Sequence, residues 1–349
     1  MIYALGSNGA GQLATGNSED AHSPTLTSFP RTSDGIQSIV AGGNHTVVLC
    51  KSGEAYATGE NVDGRCGIPF QSCDDKTNIT TFQQSNGIEQ NTTWKLCSAT
   101  WESTTFVSEQ NEVYSCGTGN KGELGLGENI TSSTTLQLIP NFPPKGLQVI
   151  ALAASMNHTL AVLSNGEVYG WGNGRKGQLG QPAMIHWTPC KIANIPFEAI
   201  NAVCGRDFSY IVGPPETGQH LILGADKWSL ISQAPKTLPP WMQIGASWGS
   251  IFVLLKSGQL LSWGRNDHGQ LGPDNLAPLE KIAVGSEHAL ALTNSGKVLA
   301  WGWGEHGNCG EPTESNGDVK GRWNELAVDK RCVAIGAGCA TSWLVCADG

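Results

Sequence analysis

The sequence predicts an all-β protein, a single seven-bladed β-propeller domain that spans residues 1–349. Three observations predict this fold: a phrase that recurs seven times, glycine-rich turns between short apolar runs, and a repeat unit that is divided between the two ends of the chain. Repeats of about 40–50 residues that consist of short strands are typical of propellers.

The composition agrees with many short strands. Glycine contributes 45 of 349 residues, where about 7% is usual, and glycine permits tight turns. With 21 Lys and Arg against 30 Asp and Glu, the net charge is −9, which argues against a protein that neutralises nucleic-acid phosphates. The start, MIYALGSNG, has no signal-peptide features, and no apolar run is long enough to span a membrane.

The cysteines predict neither a metal site nor a disulfide framework. The 11 cysteines are scattered and include no CxxC pair, which is the spacing of most structural zinc sites. Small buried thiols in a reducing compartment explain them best. We therefore expect no metal and no cofactor.

The repeat phrase predicts a β-hairpin in each unit. Clear copies begin at Ala41, Ala153 and Val284, and they read AGGNHTVVLCKSGEAYATG, AASMNHTLAVLSNGEVYGWG and VGSEHALALTNSGKVLAWG. Each has a small-residue turn, a histidine, an apolar run, a polar turn and a second apolar run that ends at glycine. Two apolar runs joined by a short polar turn are typical of hairpins.

Degraded copies complete the set of seven units. The positions that align with the histidine are His45, Ser103, His158, Phe208, Ser250, His288 and Thr341. A G-x-[LC] segment follows six of the hairpins, with its glycine at Gly11, Gly64, Gly122, Gly177, Gly269 and Gly307. The fourth unit has ADKWSL (225–230) instead and is the least regular.

The last copy, AGCATSWLVCADG, begins at Ala337 and stops at the hairpin turn. The opening residues, MIYALGSNGAGQLATG, supply the strand that this copy lacks. Because an open array would end in atypical capping repeats, a unit shared between both ends predicts a closed ring.

The repeated residues are expected to be scaffold. His45, His158 and His288 fit structural positions in the blade turns, and Trp171, Trp263 and Trp301 are expected to pack between blades. The sequence contains no nucleophile elbow, P-loop or HExxH motif, and the carboxylate pairs at 19–20 and 74–75 lie in polar loops. We therefore predict that the protein is not an enzyme.

Candidate binding residues lie where the repeat varies. Two positions before the histidine, four consecutive blades offer Trp101, Met156, Arg206 and Trp248, and Trp and Arg are enriched at binding hot spots. The predicted partner-binding residues are Trp101, Met156, Arg206, Trp248, Glu102 and Asp207. The alternative is that the two tryptophans fold back and plug the central channel.

Two further regions vary between the units. The segments between W-G and G-Q-L-G carry Lys121, Arg175, Lys176 and Arg265, and we expect them on the opposite rim of the disc. The connection 69–93 is long and polar, so it is either a mobile insertion or a binding loop.

The whole phrase, x-G-x-x-H-[ST] followed by the hairpin and W-G-x-N-x-x-G-Q-L-G, resembles the repeat of the regulator-of-chromosome-condensation family. The resemblance covers nearly the whole chain and implies a seven-bladed propeller. The family includes an exchange factor for the Ran GTPase and a plant UV-B photoreceptor with G-W-R-H-T turns. Trp101 and Trp248 are not followed by Arg, so the sequence does not predict light sensing.

Within the family, the immediate start and the lack of a basic tail resemble a fungal branch of bare propellers. That resemblance implies a heterodimer with a small CSL-type zinc-ribbon protein, which serves diphthamide synthesis and tRNA wobble-uridine modification, with the Elongator complex as a further partner. It implies a cytoplasmic protein, with the nucleus as a second location, and no direct contact with nucleic acid or membrane. The alternative function is guanine-nucleotide exchange on a Ran-type GTPase.

Overall fold

A computed structural model describes residues 1–30, 35–69, 78–85 and 92–347. Within these ranges the chain forms 26 β-strands in seven antiparallel sheets, together with a 3-10 turn at Lys227–Ser229. The prediction of an all-β, seven-bladed propeller is confirmed. We number the blades in chain order from the sheet that begins at Ile36, so the seventh blade contains both chain ends.

The strands of each blade run outward from the central channel. The innermost strands are β3 (Ile36–Ala41), β7 (Trp94–Ala99), β11 (Val149–Ser155), β15 (Asn201–Cys204), β18 (Trp241–Ala246), β21 (Leu279–Val284) and β25 (Cys332–Ala337). The second strands are β4 (His45–Cys50), β8 (Ser103–Ser108), β12 (His158–Leu163), β16 (Phe208–Val212), β19 (Ser250–Leu255), β22 (His288–Thr293) and β26 (Thr341–Cys346). Every second strand begins at the residue that the repeat aligns with histidine.

The third strands complete the predicted hairpins, and outer strands follow in five blades. The third strands are β5 (Ala55–Gly59), β9 (Val113–Thr118), β13 (Val168–Asn173), β17 (His220–Gly224), β20 (Leu260–Gly264), β23 (Val298–Trp303) and β1 (Ile2–Gly6). The outer strands are β6 (Ile79–Gln84), β10 (Ser132–Leu138), β14 (Ile185–Lys191), β24 (Asp318–Glu325) and β2 (Ala21–Leu26). In the described residues, the fourth and fifth blades have three strands each.

The connection 69–93 is more than a loop, because β6 within it forms the outer edge of the first blade. The prediction of a mobile insertion or a binding loop otherwise falls on residues 70–77 and 86–91, which lie outside the described residues.

The ring closes as the divided repeat predicts. Strand β1 pairs with β26 in antiparallel register, from Ile2 opposite Val345 to Gly6 opposite Thr341. The amino group of Met1 also donates to the carbonyl of Cys346 at 3.0 Å. The two ends of the chain are therefore neighbouring strands of one sheet.

Tryptophans seal the contacts between blades. Trp171 and Trp301 are fully buried, and each indole N–H reaches the preceding blade: Trp171 donates to the carbonyl of Glu123 at 2.9 Å and Trp301 to that of Gln270 at 2.8 Å. Trp263 donates to the carbonyl of Leu230 at 2.9 Å in the same way. The prediction that these side chains pack between blades is confirmed.

The repeated histidines join each blade to the next. His45 Nε2 lies 2.8 Å from Thr104 Oγ1, and that hydroxyl donates its proton to the carbonyl of Arg65 at 2.6 Å. His45 must therefore donate through Nε2–H. The corresponding distances are 3.0 Å for His158 to Ser209 Oγ and 3.0 Å for His288 to Ser342 Oγ.

These three histidines are neutral scaffold groups. All three side chains are buried, and each Nδ1 lacks a hydrogen-bond partner among the residues that the structure describes. Burial lowers the pKa of His45 to about 3 and the pKa values of His158 and His288 to about 4. This geometry agrees with the structural role that the repeat predicts.

Candidate functional site

The variable turns and the variable connections share one face of the disc. In an antiparallel blade, the turn after the first strand and the connection after the third strand emerge at the same edge. Accordingly, Arg265 N–H donates to the carbonyl of Gly249 at 2.9 Å, and Thr118 N–H donates to that of Glu102 at 2.8 Å. The expectation that the W-G to G-Q-L-G segments occupy the opposite rim is therefore wrong. We call this shared surface the turn face.

A belt of backbone hydrogen bonds positions the innermost turn residues around the channel. Gly43 N–H donates to the carbonyl of Trp101 at 2.9 Å, and Trp101 N–H donates to that of Met156 at 3.1 Å. Arg206 N–H donates to Trp248 at 3.2 Å, and Trp248 N–H donates to Ser286 at 2.9 Å. Because each hydrogen bond joins two blades, the backbone that carries these side chains is held in place around the channel.

Trp101 and Trp248 meet across the channel. They belong to the second and fifth blades, which are not neighbours, yet their ring centroids lie 5.8 Å apart at 45°. Both rings line the central cavity of about 480 Å³, and both are half-buried. This geometry resembles the alternative interpretation of the sequence, in which the two tryptophans fold back over the central channel. Part of each ring nevertheless remains exposed.

Arg206 extends this aromatic pair. Its guanidinium carbon lies 5.6 Å from the centre of the Trp248 ring, a cation–π distance. Trp101, Trp248 and Arg206 thus form one contiguous group, which we call the Trp–Arg cluster. Met156 joins it through its backbone carbonyl, and Asp207 lines a notch of about 50 Å³ together with Arg206 and Trp248.

Glu102, which the sequence predicts to bind a partner protein, lies beside Arg65 of this chain. Its carboxylate lies 3.9 Å from Nη2 of Arg65, whose side chain is only 5% exposed and also pairs with Asp63 at 2.7 Å and Glu60 at 3.0 Å. Burial alone would raise the pKa of Asp63, but the hydrogen bonds and charge of Arg65 hold that pKa below its usual value. Arg65 therefore neutralises an acidic cluster within the chain.

Arg265 organises a second ionic group on the turn face. Its Nη2 donates to Asp267 Oδ2 at 2.7 Å, and its Nη1 pairs with the buried carboxylate of Glu287. Burial would raise the pKa of Asp267, but Arg265 lowers it to about 2. Burial raises the pKa of Glu287, against the hydrogen bond from Gln270 and the charge of Arg265. Arg265 follows the third strand β20 directly, in one of the segments that the sequence was expected to place on the opposite rim.

Trp228 is a surface residue that the sequence analysis missed. Its side chain is 44% exposed, and two cations flank the ring, with Arg265 Cζ at 5.3 Å and Lys227 Nζ at 5.4 Å from its centre. The available signal was the irregular fourth unit, ADKWSL, which places a tryptophan where the other units have turn residues.

The described residues contain no group of three or more His, Cys, Asp or Glu side chains that could hold a metal ion. In the same part of the chain, no helix is long and apolar enough to cross a membrane.

Comparisons with known proteins place these features in a family. A family model described as the RCC1-like domain matches residues 1–344. An RCC1 repeat-containing protein of Schizosaccharomyces pombe is 31% identical, over 82% of this chain and 83% of the relative. The secretion-regulating guanine nucleotide exchange factor of Mus musculus is 27% identical, over 99% and 83%. The ultraviolet-B receptor of Arabidopsis thaliana is 30% identical, over 79% and 63%.

Solved structures show the same fold. Prp20p of Saccharomyces cerevisiae superimposes with a TM-score of 0.84 at 20% identity, over 99% of this chain and 92% of that chain. Human WBSCR16 gives a TM-score of 0.82 at 18% identity, over 99% and 100%.

Proposed function

Because the chain belongs to the RCC1-like domain family, we propose that it is a non-catalytic propeller that holds a small partner protein on its turn face. The partner we propose is a CSL-type zinc-ribbon electron carrier, which acts in diphthamide synthesis and, with the Elongator complex, in tRNA wobble-uridine modification. The protein would then act in the cytoplasm and in the nucleus. It would regulate the carrier sterically, by covering the surface through which electron donors and enzymes reach it.

The observation that carries this proposal is the Trp–Arg cluster. Trp101, Trp248 and Arg206 are in contact on one face and are partly exposed, and tryptophan and arginine are the residue types that dominate binding energy at interfaces. The backbone belt beneath them is shared between blades, so a partner would meet a preorganised surface and would lose little freedom of that surface on binding.

The identity of the partner is supported by the opening sequence. The phrase MIYALGSNGAGQLATG resembles that of the fungal alpha-tubulin suppressor protein, which is the family member understood to pair with a CSL-type zinc-ribbon protein. No residue of this chain is needed as a zinc ligand in this proposal, because the ribbon carries its own metal.

Calorimetric titration with a zinc-loaded CSL-type protein tests the proposal. We expect a one-to-one complex, and we expect the double variant Trp101→Ala with Trp248→Ala to weaken binding by at least a hundredfold, because it removes both aromatic anchors. Met242→Ala is the matched control, since Met242 is 43% exposed and lies near the start of β18, at the other face. Unchanged affinity in the double variant, or loss in the control, would reject the turn face as the binding surface.

A second function is favoured by one observation. The mouse relative that aligns with 99% of this chain is named as a guanine nucleotide exchange factor. If this chain has that activity, catalytic amounts would accelerate release of a fluorescent GDP analogue from a Ran-type GTPase. In the same assay, a propeller that only binds the zinc-ribbon protein would leave the release rate unchanged.

A further inference from the structure

Cys332 and Cys346 face each other at the open end of the last hairpin. They are opposite residues of β25 and β26, and their Sγ atoms lie 3.0 Å apart. Both cysteines are free thiols, and both are buried. Two sulfur atoms at this separation need to approach by only about 1 Å to reach the length of a disulfide bond.

The backbone holds the pair in a geometry that suits a bond between the two strands. Cys346 N–H donates to the carbonyl of Met1 at 2.9 Å, and the Met1 amino group donates to the carbonyl of Cys346 at 3.0 Å. Both backbone groups of Cys346 therefore point to β1. Cys332 N–H points away from β26 as well, to the carbonyl of Gly296 at 3.2 Å. The two cysteines are thus a non-hydrogen-bonded pair, in which opposite side chains lie closest and the Cα atoms are about 4.5 Å apart, within the range that a disulfide accepts.

The surroundings of the pair favour the thiolate of Cys346. The pKa of Cys346 is lowered because Cys332 donates a hydrogen bond to its sulfur, and because the positive charges of the Met1 amino group and Lys330 lie nearby. The same hydrogen bond, together with burial, raises the pKa of Cys332. Burial raises the pKa of Cys97, by contrast, to about 12. Because the thiolate is the reactive form of cysteine, we expect Cys346 to react first.

The pair lies just beneath the surface, where a small oxidant can reach it. Arg331, Val333 and Ala347, which adjoin the two cysteines in the sequence, are all exposed. The strand register also shifts directly after Cys332, which interrupts the pairing of the strands at this end of the hairpin. Since Cys332 and Cys346 are themselves only 2% and 3% exposed, hydrogen peroxide fits this site better than a bulky disulfide reagent.

We propose that hydrogen peroxide converts Cys332 and Cys346 into a reversible disulfide, which covalently joins β25 to β26 in the blade that closes the ring. The Cys346 thiolate attacks one peroxide oxygen and the O–O bond breaks, so that the sulfur becomes a sulfenic acid and hydroxide leaves. That hydroxide takes up the proton that Cys346 released. Cys332 then attacks the Sγ atom of Cys346, and the sulfenic oxygen leaves as water with the proton of Cys332. The two thiols lose two electrons in total, and one peroxide gains them to form two molecules of water.

The disulfide acts on the closure of the ring. Strand β26 lies between β1 and β25 in the last sheet, so the ring stays closed as long as β26 keeps its place. Cys332 and Cys346 are 14 positions apart, and a bond across a loop of that size restricts the unfolded chain. The oxidised protein should therefore be more stable than the reduced one. This inference does not depend on the proposed function, because the pair lies at the face away from the turn face.

Peptide mapping of the full chain tests the disulfide. The folded protein is treated with a small molar excess of hydrogen peroxide, its remaining thiols are alkylated in denaturant, and chymotryptic fragments are identified by mass spectrometry. We expect the fragments that carry Cys332 and Cys346 to stay joined until a reductant is added, and to join at least tenfold faster than Cys97 is oxidised. Cys339→Ser is the matched control, because Cys339 lies in the turn of the same hairpin, and it should form the bond like the wild type. Cys332→Ser should stop at a sulfenic acid on Cys346, which dimedone traps.

Thermal unfolding measures the effect of the bond on the ring. We expect oxidation to raise the melting temperature by about 5 °C in the wild type and in Cys339→Ser, and to leave that of Cys332→Ser without such a rise.

Three results would overturn the inference. The first is full alkylation of both Cys332 and Cys346 after peroxide treatment of the folded wild type, a result that needs no variant to fold. The second is a disulfide that joins Cys339 to either of them instead. The third is a bond between Cys332 and Cys346 that leaves the melting temperature unchanged or lowers it, which would show that the cross-link does not stabilise the closed ring.

Discussion

Ser229 is the residue at which the fourth blade differs most from its neighbours. Its φ is 58°, and the equivalent glycines of the other six connections all have φ between 78° and 84°, at Gly11, Gly64, Gly122, Gly177, Gly269 and Gly307. A residue with a Cβ pays roughly 1–2 kcal/mol for the left-handed conformation that glycine adopts freely. The serine therefore lowers the stability of this connection.

Replacing this serine tests that cost. We expect Ser229→Gly to raise the free energy of unfolding by about 1 kcal/mol, because the left-handed strain exceeds the extra entropy of glycine in the unfolded chain. Ser232→Gly is the matched control, since Ser232 is exposed and does not have positive φ, so the same change there should not stabilise. Equilibrium urea unfolding measures both, and a gain in the control equal to that in Ser229→Gly would contradict the argument.

At the scale of the blade, the residue at the histidine position varies together with the residue that faces it from the next blade. His45, His158 and His288 each face a hydroxyl, at Thr104, Ser209 and Ser342. Where Phe208 and Ser250 replace the histidine, the facing residues are Ile251 and Ala289. Two blades depart from this match. Thr341 of the seventh blade faces Thr46, whose hydroxyl donates to the carbonyl of Gln12 at 3.1 Å, and Ser103 of the second blade leaves Thr159 Oγ1 buried without a hydrogen-bond partner among the described residues.

Two valine substitutions compare a hydroxyl that forms hydrogen bonds, that of Thr104, with one that forms none among the described residues, that of Thr159. Thr104→Val removes the acceptor of His45 and the donor to Arg65, so we expect it to cost about 1–3 kcal/mol of unfolding free energy. Thr159→Val keeps the shape and removes an unsatisfied hydroxyl, so it should be neutral or stabilising. Both residues are fully buried. Urea unfolding measures both variants, and we expect the lower urea midpoint for Thr104→Val. A larger loss in Thr159→Val would show that its hydroxyl has a role that the contacts do not reveal.

The blades also show how much of the fold follows from the sequence. The hairpins could be predicted because their strands are buried on both faces and read as apolar runs, as in His45–Cys50 and Val168–Asn173. The outer strands could not be predicted in this way, as β6 shows, which lies within the long polar connection 69–93. They lie at the sheet edge and have exposed polar residues, so their sequences carry little hydrophobic pattern.

For the whole molecule, closure of the ring could be predicted from the sequence. The arrangement of side chains on the turn face could be predicted only in part. The divided repeat requires that β1 complete the last blade. The turn residues Trp101 and Trp248 could be placed around the channel, but their contact across it depends on side-chain direction, which no repeat encodes. For Trp228 the irregular fourth unit was the available signal, but its exposure depends on which neighbour, Leu230 in this chain, is buried instead.

The three histidine contacts make stability of the whole ring depend on pH. They join the first blade to the second, the third to the fourth and the sixth to the seventh. Burial lowers the pKa values of these histidines to about 3–4 in the folded protein, against about 6.5 in the unfolded chain. The unfolded state therefore binds protons first as the pH falls. The stabilisation is complete above about pH 6.5 and is lost between that pH and about 4, by about 1.4 kcal/mol per pH unit for each histidine.

Urea unfolding between pH 6.5 and 5 measures this loss in a window above the titration of most carboxylates, including Asp63 and Asp267, whose pKa values are lowered. His45→Phe should reduce the slope of unfolding free energy against pH by up to about 1.4 kcal/mol per pH unit, because it removes one protonation site. The other histidines that burial affects, with the half-buried His186 and His220 among them, keep the rest of the slope, since their pKa values are lowered too. Phenylalanine suits this position, since Phe208 occupies its equivalent in the fourth blade behind Gly205, as His45 lies behind Gly42. At pH 7 the variant should lose about 1 kcal/mol with its hydrogen bond to Thr104. A slope equal to that of the wild type would mean that His45 is not the proton acceptor on unfolding, and that the ring owes its acid sensitivity to other groups.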